Sequence, residues 1–278
     1  MNPGNDDAMA KLNSNVAWKE AVALVAANRE LFLVLAGVFF LLPSLALEVF
    51  IGEPELAAGM TAEQIMAAMG AFYAKAWWII VLATVLQIVG VLAILTLMRD
   101  RSRPTVGEAI SAGMLGLLPF LGAQILFFFT AGFLGSLLLG LAAAVLPALA
   151  ALLALLLAGF LLYATIRLVV IAPVVAVEGA RNPLVTLRRS WTLTRGNFWR
   201  ILVFLALVFL LFLVVFAVVM LIIGVILALI SAGETQRVLA SAARSTLVAL
   251  GALYFIGIVA AIHRQLAGSG EFRHEGGG

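Results

Sequence analysis

The sequence predicts an all-α integral membrane protein with six transmembrane helices, and three observations carry the prediction. Of 278 residues, 64% are hydrophobic and only 11% charged, against roughly 45–50% and about 25% in soluble domains. No water-soluble fold of this size hides so much apolar surface. Six stretches each supply about 20 or more apolar residues, enough helix to cross a hydrocarbon core about 30 Å thick. Lys and Arg gather between alternate pairs of these stretches, as the positive-inside rule requires of one face.

In chain order, the first span is read from Leu31 to Ile51 and the second from Ala76 to Met98. The apolar run from Leu117 to Val177 is too long for one crossing and must turn. A hairpin at Gly140–Pro147 divides it into spans 118–139 and 148–174. The fifth span, Phe198 to Ile230, is overlong, which implies tilt or a break near Gly224. The sixth runs from Thr246 to His263. Backbone groups in lipid must be hydrogen-bonded within each segment, so all six are read as helices. Residues 1–266 form a single six-span domain, and the Gly-rich polar tail 267–278 reads as disordered.

With the amino terminus inside, the inner segments hold Lys11, Lys19, Arg29, Arg99, Arg101, Arg103, Arg181, Arg188, Arg189, Arg195, Arg200, Arg264 and Arg273. The outer segments hold only Lys75, Arg237 and Arg244. Both termini are therefore expected in the cytoplasm. Glu53, Glu55 and Glu63 fall outside. The net charge of +3 is explained by this flanking pattern and not by nucleic-acid binding. Residues 1–30 lack the basic, apolar and small-residue order of a cleavable leader.

Three amphipathic segments precede spans one, three and five on the predicted cytoplasmic side, and are expected to lie in the membrane interface. The first places Trp18, Val22 and Val25 on one face. The second opens with a capping box, Thr105-x-x-Glu108, and continues through Ala109, Gly113 and Leu117. The third has Asn182 as its cap, Pro183 at its first position and Gly196 beyond its end, with Leu184, Leu187 and Trp191 as its apolar face. Aligning Ala21, Ala109 and Leu187 puts Phe32, Phe120 and Phe198 each 11 positions later. This suggests three units of interfacial helix plus hairpin, a pseudo-threefold repeat.

Chemistry-bearing residues are few. Cys is absent, which removes disulfides and thiolate chemistry. His263 and His274 have no second ligand at metal spacing, and no nucleophile or acid–base constellation appears. No catalytic residue, metal or cofactor is expected. Arg167 is the one charge well inside a span, a position that is costly and by default functional. It has three options: to snorkel toward headgroups, to pair with Glu178, or to use carbonyls freed by Pro173. Gln87 and Gln124 are neutral polar residues in spans two and three, suited to interhelical hydrogen bonds or to a solute path. Arg188, Arg189, Arg195 and Arg200, with Trp191, form the densest charged surface, a candidate contact for anionic lipid or a protein partner.

The run from Leu168 through Pro173, Glu178 and Pro183 into Ser190-Trp191 and Asn197-Phe198-Trp199-Arg200 resembles the glycerophosphoryl diester phosphodiesterase membrane domain family and related uncharacterised bacterial inner-membrane proteins. The segment from Pro104 to Leu126 is similar to that family's earlier amphipathic segment. The resemblance implies a bacterial cytoplasmic membrane and the membrane half alone. The catalytic barrel of fused members, with its metal-binding His, Glu and Asp residues, has no counterpart here. The function expected is a non-catalytic membrane module: a lipid-contacting scaffold or partner subunit, with a part in envelope lipid homeostasis. The alternative is a small permease for a hydrophobic or amphiphilic solute, with Gln87, Gln124 and Arg167 along its seam.

Overall fold

The structure, a computed structural model, describes residues 11–52, 56–99, 104–230 and 232–271. Glu53, Glu55, Arg101, Arg103, Arg273, His274 and the tail beyond residue 271, all used in the charge and tail readings, lie outside the described residues. The chain forms α1 (Ser14–Ala27), α2 (Arg29–Ala36), a π-helical turn (Gly37–Leu41), α3 (Leu42–Phe50), α4 (Ala62–Leu97), α5 (Val106–Val145), α6 (Pro147–Arg167), α7 (Ile171–Ala176), α8 (Pro183–Leu193), α9 (Phe198–Ile230) and α10 (Gly233–Glu271). Among the described residues, six helical segments are long and apolar enough to cross a membrane.

The local chemistry explains most boundaries. Asn13 caps α1, its side chain accepting from the Asn15 and Val16 amides. Thr61 and Gln64 form a capping box before α4, and Thr105 and Glu108 form the expected one before α5. The π-turn lies just ahead of Pro43. A proline ring clashes with the carbonyl four residues back, here that of Phe39, and widening the helix relieves the clash. Pro173 acts similarly on the fourth span, which is interrupted over residues 168–170 before resuming as α7. The predicted hairpin closes at Leu146, with Pro147 opening α6.

Several expected boundaries are corrected. The amphipathic segment before span three is not a separate helix. It is continuous with the span in a 40-residue α5, about 60 Å long, because nothing between Val106 and Leu117 stops helical hydrogen bonding. Helix α9 runs through Gly224 unbroken. Helices α4 and α10 extend well beyond the predicted spans, α10 reaching Glu271 inside the stretch read as a tail.

Helices also occupy the other two segments, α1 and α8, and small or hydroxyl-bearing residues set much of the side each turns to the protein. Helix α1 lies antiparallel along α10 with Ala17, Ala21 and Val25 buried, while Trp18 and Val22 are partly exposed. Gly257 permits this close approach: a Cβ there would meet Val25 Cγ2 at 3.1 Å and the Ala21 carbonyl at 3.2 Å. Helix α8 buries Thr186, Ser190 and Thr194, all at 0% exposure, and leaves Leu184 exposed. The three span entrances are thus built in three different ways.

The core is concentrated at one end of the bundle. Phe32, Phe39, Phe40, Leu95 and Leu253 form one cluster, and Ala21, Ile201, Phe204, Ile258 and Ile262 another. Buried positions of α6 are confined to its last turn, and those of α9 are Ile201, Phe204 and Leu227. Polar ties gather at the same end. The Leu12 amide donates to Asn197 Oδ1 at 2.9 Å, and the Asn13 amide to Gln265 Oε1 at 3.1 Å. Arg264 reaches both Glu20 and the Met98 carbonyl. We call this the arginine-rich end. At the other end Arg244 approaches Glu48 at 4.0 Å.

Candidate functional site

A cavity of about 780 Å³ opens at the arginine-rich end, where α6 finishes, α8 ends and α9 begins. Tyr163 and Arg167 project into it from successive turns of α6. Trp191, Thr192 and Arg195 come from the end of α8, and Phe198, Trp199 and Arg200 from the first turn of α9. Gly196, at φ 77°, makes the left-handed turn that brings the last two groups around one opening.

The buried hydroxyls of α8 fix the geometry. Thr186, Ser190 and Thr194 are spaced i, i+4 and i+8 and so share one face. The Ser190 and Thr194 hydroxyls donate to the Arg167 carbonyl at 3.0 and 2.9 Å. That carbonyl is the last of α6, and hydroxyl donors satisfy an acceptor the helix itself leaves open. Leu187 and Trp191 pack beside this face on Ala123, Leu168 and Ile171.

Arg167 is 3% exposed. Its Nη2 donates to the Trp191 carbonyl at 2.6 Å, and its guanidinium carbon lies 4.9 Å from the Trp191 ring centre and 5.8 Å from that of Tyr163. Among the described residues its Nε finds no acceptor. Of the options read from sequence, the carbonyl used is that of Trp191 and not one freed by Pro173. Glu178 is not its partner either. That carboxylate, on a side chain 25% exposed, accepts from Arg189 Nε at 2.8 Å and lies 2.9 Å from His263 Nε2. Burial pushes the Glu178 carboxyl up, but the His263 and Arg189 hydrogen bonds outweigh it and hold the group below its ordinary value. His263, read from sequence only for its lack of metal spacing, joins α10 to the α7–α8 connection through this contact.

The predicted site residues separate into groups. Arg195 and Arg200 line the cavity with Arg167 and Trp191. Arg188 and Arg189 are exposed on α8 outside it, Arg189 being held by Glu178. Gln124 lies in a different cavity of about 310 Å³, walled by Phe120, Phe127, Phe128 and Phe255 and reached by Thr165 of α6 and by Leu168 just beyond it, instead of Tyr163 and Arg167. Gln87 is half-buried on α4 and lines neither. The single seam expected from Gln87, Gln124 and Arg167 is therefore not formed, because the two α6 faces they would share point to separate spaces. Tyr163, Phe198 and Trp199 went unnoticed as site residues. The i, i+4 pair Tyr163–Arg167 was the available signal.

Electrostatically, the cavity presents three guanidinium groups and four aromatic rings with no carboxylate among its described lining residues. That arrangement suits an anion with an apolar or ring-faced attachment. Among the described residues no three His, Asp or Glu side chains converge as metal ligands. Comparison with protein-family models, with curated proteins and with solved structures returned no match.

Proposed function

We infer that this integral membrane protein is a non-catalytic module, a scaffold or partner subunit, whose arginine-rich end holds anionic lipid headgroups. The observation that carries the reading is the joint exposure of Arg188, Arg189, Arg195 and Arg200 beside the exposed ring of Trp199. Each cation near an anionic surface contributes about 1 kcal/mol of attraction, and indole rings favour the headgroup depth. The excess of Lys and Arg in alternate connections supports a cytoplasmic placement of this end. The Ser190-Trp191 and Asn197–Arg200 run supports a place among the bacterial inner-membrane relatives it resembles.

The test is lipid selection. The full chain is reconstituted in phosphatidylcholine containing a minority of phosphatidylglycerol and extracted in polymer nanodiscs, and the co-extracted lipid is quantified. Phosphatidylglycerol is expected to be enriched at low salt, and Arg188→Glu/Arg189→Glu/Arg195→Glu to lose most of that enrichment. Equal enrichment in the triple variant would overturn the reading.

A further inference from the structure

We propose that the cavity at the ends of α6 and α8 is a one-to-one binding site for a phosphate-bearing group, a phosphate mono- or diester. This rests on the lipid-contacting reading and narrows a diffuse attraction to a single place. A guanidinium with almost no solvent exposure is costly unless its donors are paired. Arg167 is such a group, and its Nε lacks an acceptor among the described residues. The nearby carboxylate that could have neutralised it, Glu178, is occupied by Arg189 and His263.

The rest of the wall deepens the deficit. Arg195 and Arg200 add two more cations, and no acid lines the space among the described residues. Guanidinium forks match the paired oxygens of phosphate. The first turn of α9 opens onto the same cavity, so its helix dipole adds positive potential there. Tyr163, Trp191, Phe198 and Trp199 offer ring faces to whatever the phosphate esterifies. At about 780 Å³ the cavity falls in the range that encloses organic ligands instead of a bare ion.

The experiment compares two charge-matched pairs in the full chain: Arg195→Gln/Arg200→Gln within the cavity and Arg188→Gln/Arg189→Gln outside it. All four side chains are exposed, so both variants should fold. Nanodiscs of phosphatidylcholine with a few per cent phosphatidylglycerol are analysed by native mass spectrometry for lipid retained per chain. The wild type should hold one phosphatidylglycerol. The cavity pair should retain it at least tenfold more weakly, while the outer pair, which adds only diffuse attraction, loses markedly less. Equal loss in both pairs would overturn the single site yet leave the broader lipid reading intact. No enrichment in any form would remove both. Competition separates the sources: displacement by millimolar inorganic phosphate or glycerol 3-phosphate identifies a soluble phosphate, and its absence identifies the lipid headgroup.

Discussion

The Arg167 carbonyl receives two hydroxyl donors from α8, so removing them one at a time and together should give unequal costs. In Ser190→Ala the carbonyl keeps the Thr194 bond, and the cost is one net hydrogen bond, about 0.5–1.5 kcal/mol. Thr194→Val should cost a similar amount, since the Thr194 hydroxyl also lies 2.8 Å from the Ser190 carbonyl and shares its proton between acceptors. In the double variant the carbonyl is buried with no donor, which adds a desolvation penalty of about 1–3 kcal/mol. The double variant should therefore lose about 2–6 kcal/mol, exceeding the sum of the singles by about 1–3 kcal/mol. A double-mutant cycle in mixed micelles, with unfolding titrated by SDS, measures this directly. Strict additivity together with a total loss under about 0.5 kcal/mol would refute the claim that these hydroxyls hold α8 in place.

Three further outcomes are expected. A Cβ at Gly113 would lie 2.8 Å from the Val89 carbonyl on α4, so Gly113→Ala should destabilise by about 1–3 kcal/mol, whereas Gly107→Ala, with open space around it, should be neutral or slightly stabilising in the same titration. Because Glu178 is held below its ordinary pKa of 4.5, its contribution is full above that pH and is lost as pH falls through the lower folded value; the melting-temperature gap between wild type and Glu178→Gln should accordingly shrink below pH 4.5, and a gap that stays constant down to strongly acidic pH would contradict the network. Gly257→Val should force α1 off α10, read as faster amide exchange across residues 14–27 with α4 unaffected.

The six spans were legible because lipid demands apolar length, and the hydropathy pattern states that demand openly. The capping box at Thr105 and the Asn182 cap were legible for a similar reason: short-range chemistry needs no knowledge of the fold. The protein-facing sides of α1 and α8 were not legible. The sequence placed the apolar faces, Trp18 and Val22 on α1 and Leu184, Leu187 and Trp191 on α8, toward the membrane interface, which leaves the side that meets the protein unspecified. In a bilayer lipid covers large apolar side chains at little cost, and helix contacts are selected by small or hydrogen-bonding residues. Ala17 and Ala21 on α1, and Thr186, Ser190 and Thr194 on α8, mark the buried sides accordingly. The Glu178–His263 contact joins residues 85 apart in the chain, and no local pattern announces it. Arg167 stood out as an anomaly and its i, i+4 spacing to Tyr163 was there to be read, but Phe198 joined them only once α6 and α9 were brought side by side.

The antiparallel seating of α1 on α10 has a consequence for biogenesis. Ala21 leaves the ribosome about 235 residues ahead of Gly257, the residue whose missing side chain receives it. At elongation speeds of roughly 5–20 residues per second, that is a wait on the order of 12 to 47 seconds. Throughout that interval the alanine stripe has no mate. Helix α1 is thus secured by a helix made much later, and a nascent chain halted before α10 would leave that strip uncovered.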